Sequence, residues 1–162
     1  MPSPVDPTSP ASPANPASAL EPAVERVLAL AATWLAWDGR PRLAADGRRA
    51  YTPHKAIRRT ADHIVDHLAQ VESLLAGVPG EEDRWHASAV TLDADRAPFG
   101  EADLVEAEQR LRRLARTFEL RYAAAGPDAW DAPRGDEWTL RQIAEHLADP
   151  WYAEQVGDLS GP

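Results

Sequence analysis

Residues 52–76 constrain the fold of this chain most, because they carry the signals of one long helix from start to stop. Thr52 is a good N-cap, and Pro53 suits the first helical position, where its missing N–H costs nothing. Gly77 supplies the C-terminal stop. Apolar residues recur between these ends in steps of four and three, which predicts a helix that buries one stripe in a bundle. The stripe consists of Ile57, Ala61, Ile64, Leu68, Val71 and Leu75.

The same helix carries two histidines, His63 and His67, four residues apart. Residues at this spacing lie on one helix face, so both imidazoles can reach a common point. On a helical wheel they flank the apolar stripe instead of opposing it. Neutral imidazole is a ligand for zinc, nickel, copper or iron. The pair alone is also compatible with two histidines at the edge of a core that bind no metal.

Three further helices are predicted. The first spans residues 20–37, with Val24, Val27, Leu28, Leu35 and Trp34 as its buried side, and the third spans residues 101–125. The fourth starts at Thr139, where a capping box with Gln142 and a hydrophobic staple between Trp138 and Ile143 are expected, and continues through a kink at Pro150 to Gly157. Residues 77–100 show no helical period, and residues 87–92 within them are predicted to form a short strand. The expected fold is all-α, a four-helix bundle with a long crossover between helices two and three.

A third histidine, His146, shares its helix face with Ile143, Ala144 and Leu147, so its ring is expected to point inward. With His63 and His67 it would form a three-histidine metal site that keeps open coordination positions. Ile64 stands where the helical metalloprotease motif requires glutamate, which excludes that class. No catalytic residue is evident.

Four other residues are candidates for a substrate pocket: Arg59, Trp85, His86 and Trp151. Arg59 lies one helical turn before His63 and could meet an anionic substrate group, although a solvated arginine is the more common outcome at such a position. Trp85 and His86 lie in the long connection, and loops carry function more often than cores do. Trp151 could instead be a core residue.

Composition narrows the function further. A net charge of −9 argues against nucleic-acid binding, and no segment is apolar enough to span a membrane. The absence of cysteine excludes disulfides and thiolate zinc fingers and agrees with a cytoplasmic protein.

Residues 1–17 are rich in Pro, Ala and Ser and lack the features of a secretory signal. They are expected to be a disordered tail, which leaves residues 18–162 as the bundle domain.

Two segments resemble a known family. DEWTLRQIAEHLADPWYAEQVGDL is similar to the W-[ST]-x-R-x-x-x-x-H-L/I helix start of the DinB-like superfamily of four-helix bundles, which includes the mycothiol-dependent maleylpyruvate isomerase-like group. YTPHKAIRRTADHIVDHLAQVE resembles the HxxxH helix of the same superfamily. The order differs, because in the family the W-[ST] helix precedes the HxxxH helix and here it follows. The chain therefore resembles a permuted or divergent subgroup.

The resemblance implies a divalent metal, zinc or nickel, held by His146, His63 and His67. It also implies a low-molecular-weight thiol such as mycothiol or bacillithiol, used in a transferase or isomerase reaction. The expected partners are a small-molecule thiol or electrophile, and a homodimer stays open. Near-exclusive use of arginine over lysine, with abundant alanine, is typical of a GC-rich bacterial genome. The alternatives are a non-enzymatic metal- or ligand-binding stress protein and a helical interaction module whose histidines only pack.

Overall fold

The computed structural model describes residues 13–80 and 89–161 and is mostly helical, as the sequence predicts. Its helices are α1 (Leu20–Thr33), α2 (Pro53–Ala76), α3 (Glu101–Ala125), α4 (Pro127–Trp130), α5 (Leu140–Leu147) and α6 (Trp151–Glu154). Short 3₁₀ turns occur at Pro16–Ala19, Trp34–Ala36 and Ala94–Arg96. Two short strands, β1 (Arg42–Leu43) and β2 (Ala50–Tyr51), pair antiparallel in the connection between α1 and α2. This hairpin was not predicted from the sequence.

Helix α2 has the bounds that its capping signals predict. The Thr52 side chain accepts a hydrogen bond from the Lys55 N–H, and Pro53 is the first helical residue. Gly77 ends the helix in the left-handed conformation, with φ 68°. Ile64 and Val71 on the predicted stripe are fully buried. The periodicity and the caps therefore position His63 and His67 correctly along the helix.

Helix α3 packs along both α1 and α2 and completes the core. Its buried side includes Leu111, Phe118 and Tyr122. The Tyr122 hydroxyl donates a hydrogen bond to the Leu140 carbonyl at 2.7 Å, and the Trp130 indole N–H donates to the Tyr122 carbonyl at 2.9 Å. Both bonds are buried, so they tie α4 and the start of α5 to the end of α3.

The predicted fourth helix is broken in two. The capping box of Thr139 and Gln142 is present, but α5 ends at Leu147. Pro150 has no N–H to donate to the His146 carbonyl, and its ring disfavours helical geometry in the residue before it. The chain turns there and restarts as α6 at Trp151. The predicted kink is thus a full break, and α6 packs back against α2 and α1.

Three other expectations need correction. The tail was expected to reach residue 17, but Asn15 caps the Pro16–Ala19 turn, bonds the Glu119 carbonyl through its side-chain amide and is followed by the buried Ala17. Leu35 is 46% exposed because the chain tightens into a 3₁₀ turn after Thr33. Residues 89–92 form no strand, and residues 87–88 lie outside the described part of the chain.

A polar clamp holds residues 91–95 against the first turn of α2. Asp95 is buried and accepts two hydrogen bonds from the Arg58 guanidinium, at 3.0 and 2.6 Å, and one from the Leu92 N–H. Burial would raise the pKa of Asp95, but these hydrogen bonds outweigh it and lower the pKa. The buried Lys55 ammonium donates to the Ala50 carbonyl and to the Thr91 hydroxyl. The clamp therefore fixes both the hairpin and the end of the long connection.

Among the described residues, no helix combines the length and the apolar character that crossing a membrane requires.

Replacing Asp95 with alanine is expected to lower the free energy of unfolding by about 3 kcal/mol, because the Arg58 charge loses its buried partner. Urea unfolding followed by circular dichroism measures this loss. Asp93→Ala is the matched control, since Asp93 is exposed and two residues away, and it should change stability by less than about 0.5 kcal/mol. Equal effects of the two substitutions would contradict the importance of the clamp.

Candidate metal centre

Helix geometry alone brings the first two histidines of the centre together. His63 and His67 project from α2 one turn apart, and their ring centroids are 4.6 Å from each other. Both side chains are half-buried, because they flank the apolar stripe that faces the core. The helix thereby presents two imidazoles on one side at the edge of the core.

The third histidine arrives through the packing of α5. Ile143, Ala144 and Leu147 are buried, and they dock α5 so that the His146 ring centroid lies 4.9 Å from His63 and 5.1 Å from His67. His146 itself is exposed, which corrects the expectation that it points into the core. The cluster thus lies at the surface edge of the helix packing, where solutes have access.

The three imidazoles fit a transition-metal ion in both spacing and chemistry. One ring nitrogen from each residue lies within 4.8 Å of the other two. A tetrahedral zinc ion with zinc–nitrogen bonds of about 2.0–2.1 Å needs nitrogen separations of about 3.3 Å, so the rings have to move closer together to bind it. Neutral imidazole nitrogen is a preferred ligand of zinc and nickel. Within residues 13–80 and 89–161 the cluster contains no carboxylate or cysteine ligand.

The surroundings of His63 keep its ring neutral, as metal binding requires. Burial, followed by the nearby His67, His146 and Arg59, lowers the pKa of His63 to about 3. A neutral ring has a free nitrogen lone pair at physiological pH. No proton therefore has to leave this ligand before an ion can bind.

Gln70 orients the second ligand. The His67 Nδ1 lies 2.8 Å from the Gln70 side-chain oxygen, one turn further along α2. An amide oxygen accepts hydrogen bonds, so Nδ1 carries the proton in this pair and Nε2 is the nitrogen with the lone pair that a metal needs. In many metal sites, a hydrogen bond to the ring nitrogen that does not bind the metal fixes the tautomer and the orientation of the histidine.

Trp138 forms an aromatic wall beside His67 and His146, and this role was not predicted from the sequence. Its ring stacks on His67 at 6.2 Å between centroids and meets His146 edge-on at 5.0 Å. A hydrophobic staple with Ile143 was expected from the sequence, yet the Trp138 side chain is 43% exposed. Its position just before the Thr139 cap was the available signal, because a residue there lies beside the first turns of α5, which carries His146.

Tyr152 forms the opposite wall and links the cluster to Arg59. The Tyr152 ring lies 5.5 Å from His63 between centroids. The Arg59 guanidinium lies 5.3 Å from the Tyr152 ring centroid, and its Nη2 donates to the Tyr152 hydroxyl at 3.4 Å. Arg59, predicted as a pocket residue, is buried, so it reaches the histidines through this tyrosine.

The other predicted pocket residues do not join the cluster in the described structure. Trp151 is half-buried, packs edge-on against Tyr51 and Tyr152 and lies under the Arg49 guanidinium. Trp85 and His86 lie in residues 81–88, outside the described part of the chain. Five of the predicted site residues lie in the described part of the chain, and three of these, the histidines, contact one another directly.

A small cavity lies behind His63, between α1, α2 and the turn at Pro150. His63, Thr60, Asp149 and Tyr152 contribute its polar lining, and the rest of its wall is mainly aliphatic. Its volume of about 20 Å³ accommodates one water molecule. A larger ligand must therefore approach the histidines from the exposed side, where His146 and Trp138 lie.

Comparison with known proteins returned no match to this chain among protein-family models, curated proteins or solved structures.

Alanine substitution of His63, His67 or His146 is expected to lower bound zinc from about one ion per chain to near zero, because two imidazoles remain in each variant. Elemental analysis of zinc-loaded, desalted protein measures the stoichiometry. His54→Ala is the matched control, since His54 packs on Phe99 away from the cluster. Full zinc content in all three cluster variants would contradict the centre.

Proposed function

We propose that the chain is a divalent-metal-binding protein of the DinB-like kind, and that it is a thiol-dependent transferase or isomerase. In this proposal α1, α2, α3 and the α5–α6 segment form a four-helix bundle, and residues 77–100 are its crossover. Zinc or nickel is the proposed metal, and the proposed location is the bacterial cytoplasm. The observation that carries the proposal is the convergence of three imidazoles from two helices within 4.8 Å.

The donor set favours a reactive centre over a structural one. Structural zinc sites are closed by four protein ligands, whereas catalytic sites leave a position for water or substrate. The described residues offer three ligands, and one of them, His146, is exposed. An ion held by three histidines at the surface therefore keeps a position open to solutes.

Thiol chemistry suits the residues that surround this position. A divalent ion lowers the pKa of a thiol that it binds and so supplies a nucleophile without a protein base. The chain has no cysteine to serve as nucleophile, and no carboxylate joins the described cluster. Trp138 and Tyr152 offer apolar ring surface on two sides, which restricts water and positions an organic ligand.

A second candidate function is a non-enzymatic metal- or ligand-binding protein of the stress-related kind. The same lack of a neighbouring carboxylate in the described cluster favours it, because many transferases and isomerases also need a general acid or base. The two candidates share the metal centre and differ in whether a thiol binds to it.

A thiol that occupies the open position is expected to stabilise the zinc-loaded protein, by about 2.7 kcal/mol at a hundredfold excess over its dissociation constant. Mycothiol, bacillithiol, glutathione and coenzyme A form the test panel. Thermal unfolding of zinc-loaded protein with each thiol measures the shift.

The control for this experiment is zinc-treated His146→Ala protein, which should show no thiol-dependent shift. Stabilisation of the wild type by one thiol, absent from this variant, supports the enzyme proposal. If zinc binds but no thiol in the panel shifts the unfolding temperature, the non-enzymatic alternative is favoured.

A further inference from the structure

Helix α2 carries Arg59 in line with two of the three histidines of the metal centre. Arg59, His63 and His67 follow one another at four-residue steps, so each lies about 6 Å along the helix from the next. His63 and His67 belong to the histidine cluster, and Arg59 lies beyond it with Tyr152 across its guanidinium. The Tyr152 ring spans the gap, because it faces His63 as well.

The contact with Arg59 orients the Tyr152 hydroxyl. A guanidinium group has only hydrogen-bond donors, so in this contact Arg59 Nη2 donates and the hydroxyl oxygen accepts. The hydroxyl hydrogen is then directed elsewhere and can be donated to another acceptor. Arg59 is held in turn by Asp62, whose carboxylate lies 3.6 Å from Nη1. The tyrosine is therefore a positioned hydrogen-bond donor at the edge of the cluster.

The charge around this end of α2 also favours an acceptor that is negative. Lys55, Arg58 and Arg59 are three cations on the first two turns of α2, and among the contacts of the described residues the Asp62 and Asp95 carboxylates lie beside the two arginines. Imidazole is an uncharged ligand, so three histidines add no negative charge to offset a bound divalent ion. A ligand that brings its own negative groups is therefore favoured here.

We propose that the substrate of this centre is a small mercaptocarboxylate, whose thiol occupies the open metal position and whose carboxylate accepts a hydrogen bond from the Tyr152 hydroxyl. The Tyr152 and His63 ring centroids are only 5.5 Å apart, so the proposal is for a short ligand with two or three carbons between sulfur and carboxylate. Arg59 is a positioning residue that acts through Tyr152. This inference depends on the proposed metal centre and narrows its substrate class.

The test compares two probes of equal length on zinc-loaded protein, 3-mercaptopropionate and 3-mercapto-1-propanol. The carboxylate probe is expected to bind about tenfold more tightly in isothermal titration calorimetry, since hydrogen bonds to charged groups are the stronger ones. Tyr152→Phe should reduce this ratio to near one while zinc content stays unchanged. Binding affinity, and not catalytic activity, is the readout.

Tyr122→Phe is the matched control, because it removes the hydroxyl of a tyrosine that bonds the Leu140 carbonyl elsewhere in the core. It should lower stability but keep the tenfold ratio. Arg59→Met should lose most of the ratio, and Arg59→Lys should retain more of it because the positive charge remains. If Arg59 had only a structural role, its substitution would weaken the binding of both probes equally. If the Tyr152→Phe protein binds no zinc, the comparison of Arg59→Met with Arg59→Lys tests the proposal instead.

The outcomes separate this inference from the function proposed above. If wild-type protein binds zinc and both thiols but shows no preference for the carboxylate, the mercaptocarboxylate inference is overturned and the metal centre stands. An unchanged ratio in Tyr152→Phe overturns it equally. If wild-type protein binds no zinc, both proposals are lost.

Discussion

The docking of α5 against the rest of the core is the interaction on which the candidate centre depends. Two of its histidines need only the regular step of α2, which any helix supplies. The third depends on an eight-residue helix that would not be stable alone, since isolated helices of this length are marginal in water. Burial of Leu140, Ile143 and Leu147, each worth about 2 kcal/mol, holds it in place. The capping box at Thr139 and the Tyr122 hydrogen bond to Leu140 fix where it begins.

The position of the cluster at the edge of the core explains its electrostatic character. His63 is buried enough for its ring to remain neutral far below its usual pKa, whereas His146 is exposed. A site deeper in the core would hold three neutral rings but would give a solute no entrance. A fully exposed site would lose the ring contacts from Trp138 and Tyr152. The edge position therefore combines a neutral His63 ring with access for solutes.

Local signals allowed much of this structure to be predicted from the sequence. The bounds of α2 and α3, the Thr139–Gln142 capping box and the three histidines all follow from periodicity, capping residues and spacing. What the sequence could not supply depends on three-dimensional packing. The exposure of His146, the wall formed by Trp138 and the link from Arg59 to His63 through Tyr152 arise between segments far apart in the chain. The tail boundary was misplaced because the Asn15 side chain, which caps the turn at Pro16–Ala19, also donates to the Glu119 carbonyl, 104 residues away.

The break at Pro150 has a consequence for how such a centre can be built. It returns the chain onto α2, so that residues 138–152 supply one aromatic wall, one imidazole and the other aromatic wall. The remaining donors come from one helix. The centre is therefore assembled from two pieces of chain, α2 and residues 138–152, and the surrounding core has to hold both, because α5 is too short to be stable alone.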